Sequence, residues 1–85
     1  MAYRIRLAAS AKKALDKLPK DIQKRIATAI DSLSQAPRPP GTIKLTGEND
    51  LYRIRVGSYR IVYRIQDDRL LVLVVKIRHR QEAYR

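Results

Sequence analysis

Cysteine is missing from the chain, and histidine occurs once, at His79. The first absence excludes a disulfide framework; the two together exclude a thiolate or multi-histidine metal site. Glycine stands only at Gly41, Gly47 and Gly57, so there is no glycine-rich phosphate loop and no nucleotide cofactor is implied. The longest apolar stretch, Leu70 to Val75, is six residues and too short to span a membrane. No apolar run follows Met1, so neither a secretory signal nor a membrane partner is expected, and a cytoplasmic location is. Acidic residues are also scarce: 8 Asp and Glu face 19 Lys and Arg, giving +11 on 85 residues. That excess of one sign points to a polyanion as partner, nucleic acid first and an acidic protein second. A basic surface kept only for solubility is the plain alternative.

What is present fits one small α+β domain spanning residues 1–85. An apolar fraction of 45% beside 32% charged residues excludes wholesale disorder. Tyr3 to Leu7 alternates apolar and basic side chains, the period of a half-buried strand. Ala11, Ala14, Leu15 and Leu18 then recur at helical spacing, as do Ile22, Ile26, Ala29, Ile30 and Leu33. Pro19 between them suits the first turn of the second helix, and Pro37, Pro39, Pro40 and Gly41 end helical structure. Strands are expected at Ile43 to Leu45, Leu51 to Val56, Tyr59 to Ile65 and Leu70 to Ile77. The order β-α-α-β-β-β-β predicts a two-helix hairpin packed on one face of a mostly antiparallel sheet.

Gly57-Ser58 suits a type II′ hairpin turn, which pairs Val56 with Tyr59, Arg55 with Arg60, Ile54 with Ile61 and Tyr52 with Tyr63. Those tyrosines and isoleucines then share the covered face, while Leu51, Arg53, Arg55, Arg60, Val62 and Arg64 share the open one. For the last strand, a three-residue turn near Gln66 to Asp68 is expected. It places Leu71, Leu73, Val75 and Ile77 in the core and sets Lys76, Arg78 and Arg80 beside Arg60, with Lys76 facing Arg60. A two-residue turn would bury the cations, at high cost. The open face thus gathers Arg53, Arg55, Arg60, Lys76, Arg78 and Arg80. Like charges opposed across a ladder are destabilising, so a set of this kind reads as a pocket for phosphate, which arginine forks hold bidentately.

The run Leu51-Tyr52-Arg53-Ile54-Arg55-Val56-Gly57-Ser58-Tyr59-Arg60-Ile61-Val62-Tyr63 resembles the signature of the RelE/ParE superfamily of bacterial toxins, in particular RelE-type mRNA interferases. Lys44-Leu45-Thr46-Gly47 before it, the closing His79-Arg80-Gln81-Glu82-Ala83-Tyr84-Arg85, and the helix Ala11 to Leu18 agree with that family. The resemblance implies the β-α-α-β-β-β-β fold and a ribosome-dependent endoribonuclease neutralised by a cognate antitoxin in a toxin–antitoxin hetero-oligomer. Its partners would be mRNA on the ribosome, ribosomal RNA and an acidic, partly helical antitoxin. By motif position, Arg60 matches a phosphate-binding arginine, Arg80 a catalytic arginine, and Tyr84 a tyrosine that stacks on or orients the substrate. Arg53 and Arg55 fall where relatives often carry lysine, and Arg78 where they often carry glycine. Arginine stays protonated in proteins, so neither Arg53 nor Arg55 can act as a base.

Metal-independent cleavage of RNA needs a 2′-hydroxyl to attack its own phosphate. It requires a proton acceptor, stabilisation of the charge developing on phosphorus, and a proton donor for the leaving oxygen. Arg60 and Arg80, with Arg55, suit the second role. Arg53, Lys76, Arg78 and His79 are candidate substrate-binding residues. His79 titrates nearest neutrality, yet by parity with Arg80 it falls on the other face of a regular strand, so the base is unassigned. Two other classes share these features: a ParE-like inhibitor of DNA gyrase acting by protein binding, and a non-catalytic RNA-binding module.

Overall fold

The computed structural model describes residues 2–45, 47 and 50–79. Its elements are β1 (Arg4–Leu7), α1 (Ala9–Asp16), α2 (Lys20–Ser32), β2 (Ile43–Lys44), β3 (Leu51–Val56), β4 (Tyr59–Gln66) and β5 (Leu71–His79). The strands form one sheet in the order β1-β5-β4-β3-β2, with β1 parallel to β5 and the other pairs antiparallel. This is the expected architecture. A helix of two turns such as α1 is marginal by itself, and neither helix has a side-chain cap at its N-terminus. Their stability therefore comes from the apolar stripes they bury. Ala11, Ile26, Ile30 and Leu33 pack in one cluster with Ile54, Ile61, Tyr63, Ile65, Val72, Val74 and Ile77 from the sheet. Pro19 stands at the N-cap of α2, and the Gln23 side-chain amide donates to the Leu15 carbonyl at 3.2 Å, joining the helices at their turn.

The β3–β4 hairpin has the expected register, from Leu51 opposite Arg64 to Val56 opposite Tyr59. Gly57 has φ +59 and Ser58 is not among the residues at positive φ, the combination a type II′ turn requires.

The last strand departs from the expected register, and the cause is local. Gln66 pairs with Leu71, so the connection holds Asp67, Asp68, Arg69 and Leu70 rather than three residues. Asp67–Arg69 form a 3-10 turn that ends at Leu70 in the left-handed region, φ 49. Val72 and Val74, not Leu71, Leu73 and Val75, enter the core. Ile77 is nonetheless buried as expected, and Lys76 and Arg78 are exposed. A β-bulge reconciles the two: Tyr63 pairs with Val74 but Val62 pairs with Lys76, leaving Val75 as an extra residue. Arg60 consequently faces Arg78, not Lys76.

Candidate nucleic-acid interface

The helices cover one face of the sheet and leave the other open, and the ladders arrange that open face in rows. Arg55, Arg60 and Arg78 lie abreast on β3, β4 and β5. The next row runs Ile43, Arg53, Val62 and Lys76, and the third Leu51, Arg64 and Leu73. Directly opposed residues have Cβ atoms about 5 Å apart. Two unit charges at that separation repel by about 3 kcal/mol at an effective dielectric near 20, so these side chains must splay or share an anion. Arg64 is balanced, since its Nη1 donates to Asp50 Oδ1 at 2.7 Å. Arg53 is half-buried, and its Nε is buried without a hydrogen-bond partner among the described residues.

These rows border an open concavity of about 700 Å³. Its basic margin is Arg53, Arg60, Arg64, Lys76 and Arg78, and aliphatic Leu45, Leu51, Val62 and Val75 line it too. A smaller hollow of about 380 Å³ adjoins it, where Gly41 and Ile43 meet Arg53, Arg55 and Arg60. Arginine forks over an aliphatic floor suit phosphate and sugar edges together. The apolar floor was not singled out from the sequence; the outward parity of Leu51 and Val62 was the available signal. Ile43, 48% exposed at the sheet edge, extends this surface.

Of the expected site residues, Arg53, Arg55, Arg60, Lys76 and Arg78 share this face. His79 does not join them. It pairs with Tyr59 in the ladder, its ring meets the Tyr59 ring edge-on at 5.1 Å, and both border a hollow beside Arg25, Ser58 and Ile22 of α2. Arg80 and Tyr84 lie outside the described residues. Among the described residues, no group of three or more His, Cys, Asp or Glu is placed to hold a metal, and no helix is long and apolar enough to cross a membrane.

A second polar cluster, not anticipated from the sequence, stands at one end of the sheet. Asp67 accepts from Arg38 Nη2 at 2.8 Å, from Arg38 Nη1 at 3.3 Å and from the Tyr3 hydroxyl at 2.5 Å. The Arg38 guanidinium, with the Tyr3 hydroxyl, holds the Asp67 carboxyl below its usual range, while Asp67 raises both Arg38 and the Tyr3 phenol. Arg38 also lies over the Tyr52 ring, 5.1 Å from its centroid. Tyr63, fully buried, donates its hydroxyl to the Pro37 carbonyl at 2.8 Å, and burial pushes its phenol up.

Comparison with known proteins agrees with this geometry. Residues 5–84 match the family model described as ParE toxin of type II toxin–antitoxin system, parDE. Toxin RelG of Mycobacterium tuberculosis is 31% identical over 86 residues, covering 100% of this chain and 99% of its own. The mRNA interferase toxin RelE of Escherichia coli is 31% identical over 88 residues, covering 99% of this chain and 92% of its own. Among solved structures, the archaeal RelE–RelB complex from Pyrococcus horikoshii superposes with a TM-score of 0.84 at 34% identity, covering 94% of this chain and 97% of that one. The isolated Escherichia coli RelE toxin gives 0.81 at 28% identity over 98% of this chain and 92% of that one.

Proposed function

Because this chain belongs to the ParE toxin family of type II toxin–antitoxin systems and is RelE-like, we propose that it cuts mRNA on the ribosome by metal-independent attack of a 2′-hydroxyl. The observation that supports this most is the row Arg55–Arg60–Arg78, backed by half-buried Arg53. Charges so placed are costly in the free protein and are relieved when a phosphate enters, more so as negative charge builds on phosphorus. Arg60 and Arg55, with Arg80, stabilise that charge; Arg53, Lys76 and Arg78 hold the flanking backbone; Tyr84 stacks on the substrate base. His79 is not the base on this reading, because it sits on the covered side with Tyr59. The 2′-oxygen loses its proton and bonds to phosphorus, the 5′-oxygen leaves and takes up a proton, and the products are a 2′,3′-cyclic phosphate and a 5′-hydroxyl. An acidic, partly helical antitoxin neutralises the toxin by covering the basic face.

In vitro translation followed by primer extension across the ribosomal A site tests this. Wild type should leave cuts within the A-site codon, and Arg60→Ala and Arg80→Ala should not. The match to a ParE toxin model favours one second reading, inhibition of DNA gyrase by protein contact. Intact mRNA together with a block on DNA supercoiling would establish that reading instead.

A further inference from the structure

The hollow shared by Gly41, Ile43, Arg53, Arg55 and Arg60 has a wall that its own ladder cannot hold. That wall is the segment from Pro37 to Ile43, and it enters the sheet through β2, only two residues long. Ile43 pairs with Arg53 while 48% exposed. A two-residue edge strand with so little burial frays readily. The segment is instead fastened before it reaches the sheet. From beneath, the buried Tyr63 hydroxyl bonds to the Pro37 carbonyl. From the side, Arg38 makes its paired contact with Asp67 and lies over Tyr52. Beyond Arg38 the chain closes on itself: the Thr42 amide and hydroxyl both donate to the Pro39 carbonyl, at 3.0 and 2.6 Å, around Gly41 at φ +90. The fixed φ of Pro37, Pro39 and Pro40 leaves few ways for this stretch to relax.

We infer that Arg38 and Asp67 are positioning residues: their paired contact braces the Pro37–Ile43 wall against Arg53, Arg55 and Arg60 and so sets the geometry of the phosphate site. This rests on the cleavage reading above. Asp67 is suited to the task because it belongs to the four-residue β4–β5 turn and also accepts from Tyr3, just before β1, so it is anchored to two other parts of the sheet. The pair is roughly half-exposed, at 43% and 56%. An ion pair that exposed contributes little to global stability, so its removal should act on the wall and leave the fold.

Purified Arg38→Gln, Asp67→Asn and Arg38→Lys variants should be compared with wild type by amide hydrogen exchange and by single-turnover cleavage on saturating ribosomes. Exchange at Gly41, Thr42 and Ile43 should rise about tenfold in the first two, with Ile61, Val72 and Val74 unchanged. Cleavage should fall between about 10-fold and 10²-fold, the scale of an ångström-sized misplacement. Lysine at position 38 keeps the charge but not the fork and should fall between wild type and glutamine in both readouts. Unchanged exchange at residues 41–43, or faster exchange with wild-type cleavage, would overturn the inference. A wild type that cuts nothing would refute the cleavage reading instead, and the exchange comparison would still decide whether the brace holds the wall.

Discussion

Replacing Arg60 with glutamine should cost activity without costing stability, because the same crowding that prepares the site strains the free protein. Arg60 is opposed by Arg55 on one side and Arg78 on the other. Each like-charge pair across a ladder is destabilising by up to about 1 kcal/mol, so removing the central charge returns roughly 0.5–2 kcal/mol. Glutamine retains most of the half-buried stem, which offsets the lost packing. In a domain of this size about 1 kcal/mol moves the melting temperature by roughly 4–8 °C, so the variant should melt at or a few degrees above wild type. The gap should close in high salt, where the Debye length shrinks to about 3 Å and wild type is itself relieved. Single-turnover cleavage on saturating ribosomes should meanwhile fall about 10²–10³-fold, the usual effect of losing one preorganised donor. Thermal melts at low and high salt, paired with the cleavage rate, check both halves. A variant that melts about 8 °C or more below wild type, or that cleaves at the wild-type rate, would refute this account.

Deleting Val75 removes the extra residue of the bulge while leaving Val74 opposite Tyr63 and Lys76 opposite Val62. The core should survive with a melting temperature within a few degrees, while altered twist lowers cleavage; a collapsed melt would show that the bulge is needed for folding. Tyr63→Phe strands the Pro37 carbonyl and should lower stability by about 1–3 kcal/mol in chemical denaturation; no change would mean water replaces the hydroxyl. Asp67 titrates below its ordinary value of about 3.9 because of Arg38 and Tyr3. Its contribution to stability is therefore present above that pH and is lost as the pH falls through the lowered folded value. Melting temperatures of wild type and Asp67→Asn should converge below about pH 4, and a constant difference across that range would contradict the assignment.

The amino-acid sequence alone determined the element order, the covered face of the β3–β4 hairpin and the facing of Arg55 with Arg60. Each of these follows from short-range chemistry: apolar repeats of 3.6 and 2, prolines that stop helices, and a glycine-led two-residue turn that sets register. The family was legible for a related reason, because its signature lies along that same hairpin. Only the tertiary structure decided the last strand. A regular strand cannot turn Val72, Val74 and Ile77 all inward, so reasoning from strict alternation had to discard part of the true core. The bulge at Val75 satisfies both demands, since packing beneath the helices outweighs one unpaired ladder position. Arg38 and Asp67 are 29 positions apart in sequence, and nothing local marks either as the other's partner. Their meeting depends on where the proline-bounded loop and the β4–β5 turn arrive in space, which the folded sheet sets.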